Sequence, residues 1–297
     1  MADGLILIDK PAGWTSHDAV SYIKRALGVK RAGHTGTLDP DATGLLLVLV
    51  GKATRLARYF DGDDKGYEAV MRLGSETDTL DASGRVTRTC PVPKLSGADM
   101  EAALRGFVGE ISQVPPMYSA VKVEGKPLYV SARAGEEVGR EPRLVTVRSI
   151  RLVSFDGTDA AFSVDCSKGT YIRTLAADIG IALGSCAHIV SLRRTSVAGY
   201  SVDGALRLDD RPYGEAVEAE VVGLDNVLTG LPWARLTDAA AEGLKVGRQP
   251  GVEDLLDTGG DAAPGRPVRL MDGGGRLLAL AETGDAGAAP RLKVVLV

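Results

Sequence analysis

The chain has 297 residues, 44% of them hydrophobic and 25% charged, with a net charge of −4. That length suits about two domains with sizeable cores. No apolar run approaches the roughly 20 residues needed to span a bilayer, and nothing in the bulk composition points to nucleic acid.

The charge is unevenly divided. Residues 201–297 carry ten Lys and Arg against sixteen Asp and Glu, a net −6, which leaves +2 on the first 200. Any basic surface must therefore come from local clusters such as Lys24-Arg25, Lys30-Arg31 and Arg193-Arg194, although such clusters are more often solvated faces. Cys90, Cys166 and Cys186 are odd in number and far apart. This argues against a disulfide framework or zinc site and for a reducing, cytoplasmic setting. His17, His34 and His188 are equally scattered, so no metal is expected. The opening MADGLILIDKPAGW lacks the basic stretch of a secretion signal.

In chain order, Leu5 to Ile8 reads as a short strand ending in the turn-forming DKPAGWTS. Ser16 is a candidate N-cap for a helix with Val20, Ile23 and Leu27 on one face, stopped by Gly28. The polar loop GHTGTLDPDATG (33–44) runs directly into LLLVLV (45–50), which reads as a buried strand. Tyr67, Ala69, Met71 and Leu73 alternate with Glu68, Val70 and Arg72, a strand pattern. SETDTLDASGRVTRTCPVP is a polar excursion with turn chemistry. SGADMEAALRGFV (96–108) predicts a helix with Met100, Ala103, Leu104 and Phe107 inward. Residues 115–145 form a further excursion. Phe162, Val164 and Cys166 mark another half-buried strand, which runs through Lys168-Gly169 to TYIR and the helix TLAADIGIAL. After residue 230, LPWARLTDAAAEGLKVGRQP suggests one short helix and a turn. RPVRLMD, GRLLALAE and RLKVVLV then predict three short strands of a small β-rich unit, with TGGDAAPG (258–265) as a loop.

Three segments carry chemical interest. Pro40 holds Asp39 out of the α region, and Gly33, Gly36 and Gly44 permit turns around it. The loop is either a rigid holder for one carboxylate or an inert Asp-Pro loop. In CSKGTYIRT (166–174), Tyr171 and Arg173 share one face of an extended backbone. A buried arginine there needs a carboxylate partner, and beside Asp39 it would keep that acid ionised. The plainer alternative is a strand-end tyrosine with an exposed arginine. Tyr67 is a rim residue unless a flat substrate needs a stacking face. HTGTLDP also resembles the DKTGTLT phosphorylation signature of cation-pumping ATPases. Gly33 stands where that reaction needs its nucleophilic aspartate, so phosphoryl transfer fails at the reacting atom.

Six segments in order resemble the bacterial tRNA pseudouridine-55 synthases of the TruB family. They are DKPAGWTS (9–16), GHTGTLDPDATG (33–44), GYEAVMRLGSETDTLDASG (66–84), PPMYSAVKVEGKPLY (115–129), CSKGTYIRTLAADIG (166–180) and AHIVSLRRTSVAGY (187–200). The resemblance implies an α+β fold: a pseudouridine-synthase catalytic domain over residues 1–230, with a mainly antiparallel mixed sheet, flanking helices and an RNA-clasping insertion at 115–145. It also implies a PUA-like RNA-binding β-barrel over residues 231–297. Carried across position by position, it makes Asp39 the essential aspartate, Tyr67 the tyrosine that stacks on uracil and takes the C5 proton, and Arg173 the partner of Asp39. Tyr171 and Leu192 bound the pocket, His34 contacts the flipped nucleotides, and Lys10 with Pro11 lies beside the pocket. The implied reaction isomerises the T-loop uridine without cofactor or metal. The expected partner is the tRNA T stem-loop, with no membrane and no obligate protein partner. A tRNA-binding or folding module without catalysis is the alternative, and an intact set of Asp39, Tyr67, Tyr171 and Arg173 weighs against it.

Overall fold

The structure, a computed structural model, describes residues 2–60, 64–119, 121–123, 125–136, 138–209, 211–260, 263–284 and 288–297. Residues 120, 124 and 137 of the expected insertion, and 261–262 of the expected loop, lie outside the described residues.

The first two-thirds of the chain builds one mixed sheet. In order come β1 (Gly4–Lys10), α1 (Ser16–Ala26), β2 (Ala32–Thr35), β3 (Thr43–Val50), a 3-10 helix (Gly51–Phe60) and β4 (Lys65–Leu73). There follow a hairpin of β5 (Ser75–Thr77) and β6 (Val86–Thr89), then α2 (Gly97–Arg105) and β7 (Gly109–Gln113). Beyond the insertion lie β8 (Arg143–Phe155), β9 (Asp159–Cys166), α3 (Ile172–Ala182) and β10 (Ala187–Val197). The sheet runs Leu206–Arg207, β1, β3, β10, β4, β9, β8, β7, with β2 also on β3. β3 and β10 pair in parallel, whereas β10 with β4 and β4 with β9 are antiparallel. This is the α+β arrangement expected.

The run LLLVLV is apolar throughout because β3 is covered on both faces, as central strands of layered sheets are. Leu46 and Val48 pack with Val20 and Ile23 of α1. Leu45, Leu47 and Leu49 point the other way, into a second cluster with Leu56, Phe60, Leu277 and Leu280. α2 and α3 close a third cluster, in which Met100, Leu104, Leu175 and Ile179 meet Met71 and Phe162.

Three local expectations change. Thr15, not Ser16, caps α1: its hydroxyl accepts the Asp18 N–H at 3.1 Å while the Asp18 carboxylate accepts the Thr15 N–H at 2.9 Å. This reciprocal capping box frees Ser16 for another task. LPWARL opens with a strand, not a helix, because Ala234 and Leu236 are buried on one face while Trp233 and Arg235 stay partly open. Cys90 and Cys186 are joined as a disulfide, with Cα atoms 5.7 Å apart, against the expectation of free thiols. Gly74 draws the two segments together, accepting the Cys90 N–H and donating its own to the Cys186 carbonyl. Cys166 is free and buried.

The C-terminal unit comprises β11 (Trp233–Leu236), α4 (Asp238–Lys245), β12 (Leu255–Gly259), β13 (Pro267–Met271), β14 (Leu277–Glu282) and β15 (Arg291–Val295). Its five strands are ordered β12, β11, β13, β14, β15, an open path among the described residues. The three expected strands are present, and β11 and β12 extend them.

Candidate active site

The loop between β2 and β3 is pinned from beneath. The Ser16 hydroxyl, released from capping, accepts the Leu38 N–H at 2.8 Å and donates to the Leu38 carbonyl at 3.1 Å. Lys10 is fully buried and donates to the carbonyls of Pro11, Trp14 and Pro40 at 2.8, 2.7 and 2.9 Å. Burial brings its pKa down to about 8, so it remains an ammonium at neutral pH with all three protons engaged. Pro40 also accepts the Gly13 N–H at 3.0 Å. The residues on both sides of Asp39 are thus fixed to the floor of the sheet.

Arg173 approaches Asp39 from above. Its Nε lies 3.0 Å from an Asp39 carboxylate oxygen, and its Nη1 lies 3.6 Å from Asp81. The same guanidinium donates to the carbonyls of Thr79 and Tyr118, both at 2.8 Å. Its side chain is 6% exposed against 40% for Asp39, so a buried cation presents a carboxylate to a cleft. The backbone under this pair differs from the expected strand. β9 ends at Cys166, the chain turns through Gly169 at φ +81°, and Tyr171 becomes the N-cap of α3. Arg173 therefore sits in the first helical turn. With no side-chain cap available from Tyr171, Gln113 accepts its N–H at 3.0 Å and donates to its carbonyl at 3.3 Å.

Burial in the cleft is the largest influence on Asp39 and raises its pKa; Arg173 opposes this, and Asp81 adds to it. Arg173 acts in the expected direction, favouring the ionised acid, while desolvation is the larger influence. Tyr67, 9% exposed on β4, is likewise raised by burial, with Arg194 opposing.

A cavity of about 300 Å3 is lined by Asp39, Tyr67, Tyr171, Arg173, Leu192 and Arg194, among others. Asp39, Arg173 and Leu192 also line a second hollow of about 280 Å3, whose far wall carries Asp41, Asp81 and Ser191. Lys10 lies beneath the cavity rather than on its wall, and Pro11 serves it as an acceptor. His34 is half-buried on β2, and burial with Arg194 holds its pKa below the usual imidazole value. Among the described residues, no group of three or more His, Cys, Asp or Glu could hold a metal ion. Nor, among the described residues, is any helix long and apolar enough to cross a membrane.

Sequence reasoning missed Asp81, Gln113 and Ser16, and it misread Arg193-Arg194 as a surface cluster. Arg193 forms a two-pronged pair with Asp9 at 2.9 and 2.7 Å, and Arg194 is 1% exposed. Spacing in the sequence carries no signal for these residues, because each is brought in by a partner strand or a distant loop.

A family model described as TruB family pseudouridylate synthase (N terminal domain) matches residues 24–172, and one described as tRNA pseudouridylate synthase B C-terminal domain matches residues 173–212. The boundary between them falls inside α3 and is not a structural seam. The chain is 47% identical over 295 residues to tRNA pseudouridine synthase B of Burkholderia pseudomallei, covering 99% of this chain and 97% of that one. It is 50% identical over 207 residues to the protein of the same name from Opitutus terrae, covering 70% and 86%. A chain from a solved Cbf5-Nop10-Gar1 complex superposes with TM-score 0.77 at 28% identity, covering 99% of this chain and 85% of that one.

Proposed function

The chain belongs to the TruB family of pseudouridylate synthases and isomerises a tRNA uridine to pseudouridine; from that premise we propose that its target is position 55 in the T loop and that Asp39 is the catalytic carboxylate. The observation that carries this is one carboxylate, 3.0 Å from a buried guanidinium, on the wall of a cavity faced by Tyr67, Tyr171 and Leu192.

The chemistry follows from comparing substrate with product. The N1–C1′ bond breaks and C5–C1′ forms; C5 loses a proton and N1 gains one. Asp39, as nucleophile or base, starts the cleavage. Arg173, already desolvated, holds the carboxylate in place as charge develops. The freed uracil must turn over without leaving. An aromatic face opposite Leu192 confines it by contact area rather than by directed hydrogen bonds, so rotation is permitted. Tyr67, as its phenolate, then accepts the C5 proton and returns to the phenol. The bonding pair forms C5=C6, the displaced π pair settles on N1, and N1 takes up a proton.

Reaching the base requires extruding it from a folded loop, at a cost of a few kcal/mol that contacts elsewhere on the RNA offset. Lys30, Arg31, Lys52 and Arg55 surround a shallow hollow at the end of β3 remote from Asp39. The strand between is eight residues, roughly 25 Å at ~3.3 Å per residue. Four cations at that distance suit phosphates of the stem beyond the flipped nucleotide. The five-stranded C-terminal unit, read as PUA-like, supplies a further RNA contact despite its acidic balance. Lys30→Glu combined with Lys52→Glu is expected to weaken tRNA binding at least tenfold and to lower the slope of log affinity against log salt by about two. Saturated turnover should be unchanged. An unaltered slope would remove this patch from the interface.

The position assignment is tested by mapping pseudouridine in tRNA transcripts carrying uridine or cytidine at position 55. Conversion confined to the first transcript is expected. Equal conversion of other uridines would overturn it.

A further inference from the structure

The geometry points to Arg194 as a positioning residue that works through Tyr67, fixing its oxygen and stabilising the phenolate that then takes up the C5 proton. This rests on the reading of Tyr67 as the proton acceptor.

Arg194 and Tyr67 are direct cross-strand partners of β10 and β4, so their side chains leave the sheet on the same face. On the opposite edge of β10, Arg194 pairs with Gly44 of β3. Gly44 has φ +99°, and a Cβ there would overlap the Arg194 backbone, so only glycine lets β3 approach this closely. The guanidinium donates from Nε to the Leu45 carbonyl at 2.7 Å and from Nη2 to the Gly36 carbonyl at 3.1 Å, and it bonds the Tyr67 phenol. Gly36 opens the loop that carries Asp39. One buried side chain therefore joins the aspartate loop, the central strand and the tyrosine.

The electrostatic setting is unusual. Arg173 has two carboxylates; Arg194, fully buried, has carbonyl dipoles and one phenol, and no described carboxylate within ion-pairing distance. A buried cation without an acid is costly unless it serves something. The group able to become negative against it is Tyr67. Burial pulls the arginine pKa down while Tyr67 opposes, and the tyrosine is raised by burial with Arg194 opposing. Other titratable groups face this pair: Asp39 from the loop, Cys166 from β9, Lys10 from β1, His34 from β2 and, on β4 itself, Lys65 on the same cavity wall. Asp39 and Cys166 both disfavour a phenolate, whereas Arg194, which bonds the phenol directly, favours it.

The sign follows directly. Turnover that needs the phenolate rises with pH and levels off at the Tyr67 pKa. Removing the Arg194 charge raises that pKa, so levelling moves to higher pH. We would titrate Tyr67 by its near-ultraviolet phenolate absorbance, as the difference from Tyr67→Phe, in the parent, Arg194→Gln and Arg194→Lys proteins. Single-turnover tritium release from a C5-labelled T stem-loop would be followed over the same pH range. Arg194→Gln should raise the Tyr67 pKa by about one unit and slow release about tenfold at neutral pH, with RNA affinity within about twofold. Arg194→Lys retains the charge and should fall between parent and Gln; it carries the test alone if the Gln protein does not fold. An unmoved Tyr67 titration in a folded variant overturns the proposal. So does slowing by one factor at every pH, which is the signature of displaced packing. If Tyr67→Phe turns over at the parental rate, Tyr67 is not the proton acceptor, and the titration still reports separately whether Arg194 controls the phenol.

Discussion

Asp39→Asn is expected to bind tRNA within about twofold of the parent and to lose turnover by about 10⁴-fold or more, the scale of removing a reacting group. Asparagine keeps the shape, and its carbonyl can still face Arg173 Nε, so the loop held by Ser16 and Lys10 should not move. What disappears is the charge and the ability to attack or take a proton. Single-turnover tritium release measures this directly, and residual release above about 1% of the parent would end the assignment of Asp39. The same group sets the acid limb of the pH profile. Its pKa is raised, chiefly by desolvation. Activity should therefore be lost, as pH falls, above the usual carboxylate range of about 4 rather than below it.

Arg173→Met should damage both stability and turnover. The parent side chain satisfies the Thr79 and Tyr118 carbonyls and lies between two carboxylates. Methionine fills much of the volume but leaves both carbonyls without this donor and the acids facing each other. Breaking a buried pair in this way costs about 3 kcal/mol, the lower end of the usual range because Asp39 is 40% exposed and water can take up part of its charge. Urea unfolding checks the figure. Arg173→Lys should recover part of the stability but little turnover, since one ammonium cannot reproduce two directed hydrogen bonds and two ion pairs at once. A Met variant within about 0.5 kcal/mol of the parent would show that the guanidinium is not structural.

Much of this site was legible because its signals are local. Asp39 is marked by its proline, and the strand of Tyr67 by a loose alternation that the burial pattern reproduces from Tyr67 to Leu73. β3 was legible as a continuous apolar run. Other features are written in contacts between distant segments. Arg194 looks like half of a surface dipeptide until β3 and β4 close on either side of it. Asp81 is one of two aspartates in a polar excursion, and only the β5–β6 hairpin selects it for Arg173. Tyr171 and Arg173 were assigned to a strand because alternation ran through Cys166; the turn at Gly169 comes too late in the segment to be separated from it by pattern. The Cys90–Cys186 bond spans 96 positions, beyond any spacing rule. β11 has four residues, too few for a period to declare itself.

The apolar mass beneath β3 has a mechanical implication. Leu5, Leu47 and Leu49 pack there against Leu277, Leu280 and Leu296, so the C-terminal sheet shares its seat with the central strand of the catalytic sheet. Swinging the two apart would wet that seat, and no hinge of ordinary softness could sustain it. Accommodation of differently shaped RNAs must then fall to peripheral segments, with the catalytic cleft and the distal sheet travelling as one rigid gauge of the distance between flipped base and RNA stem.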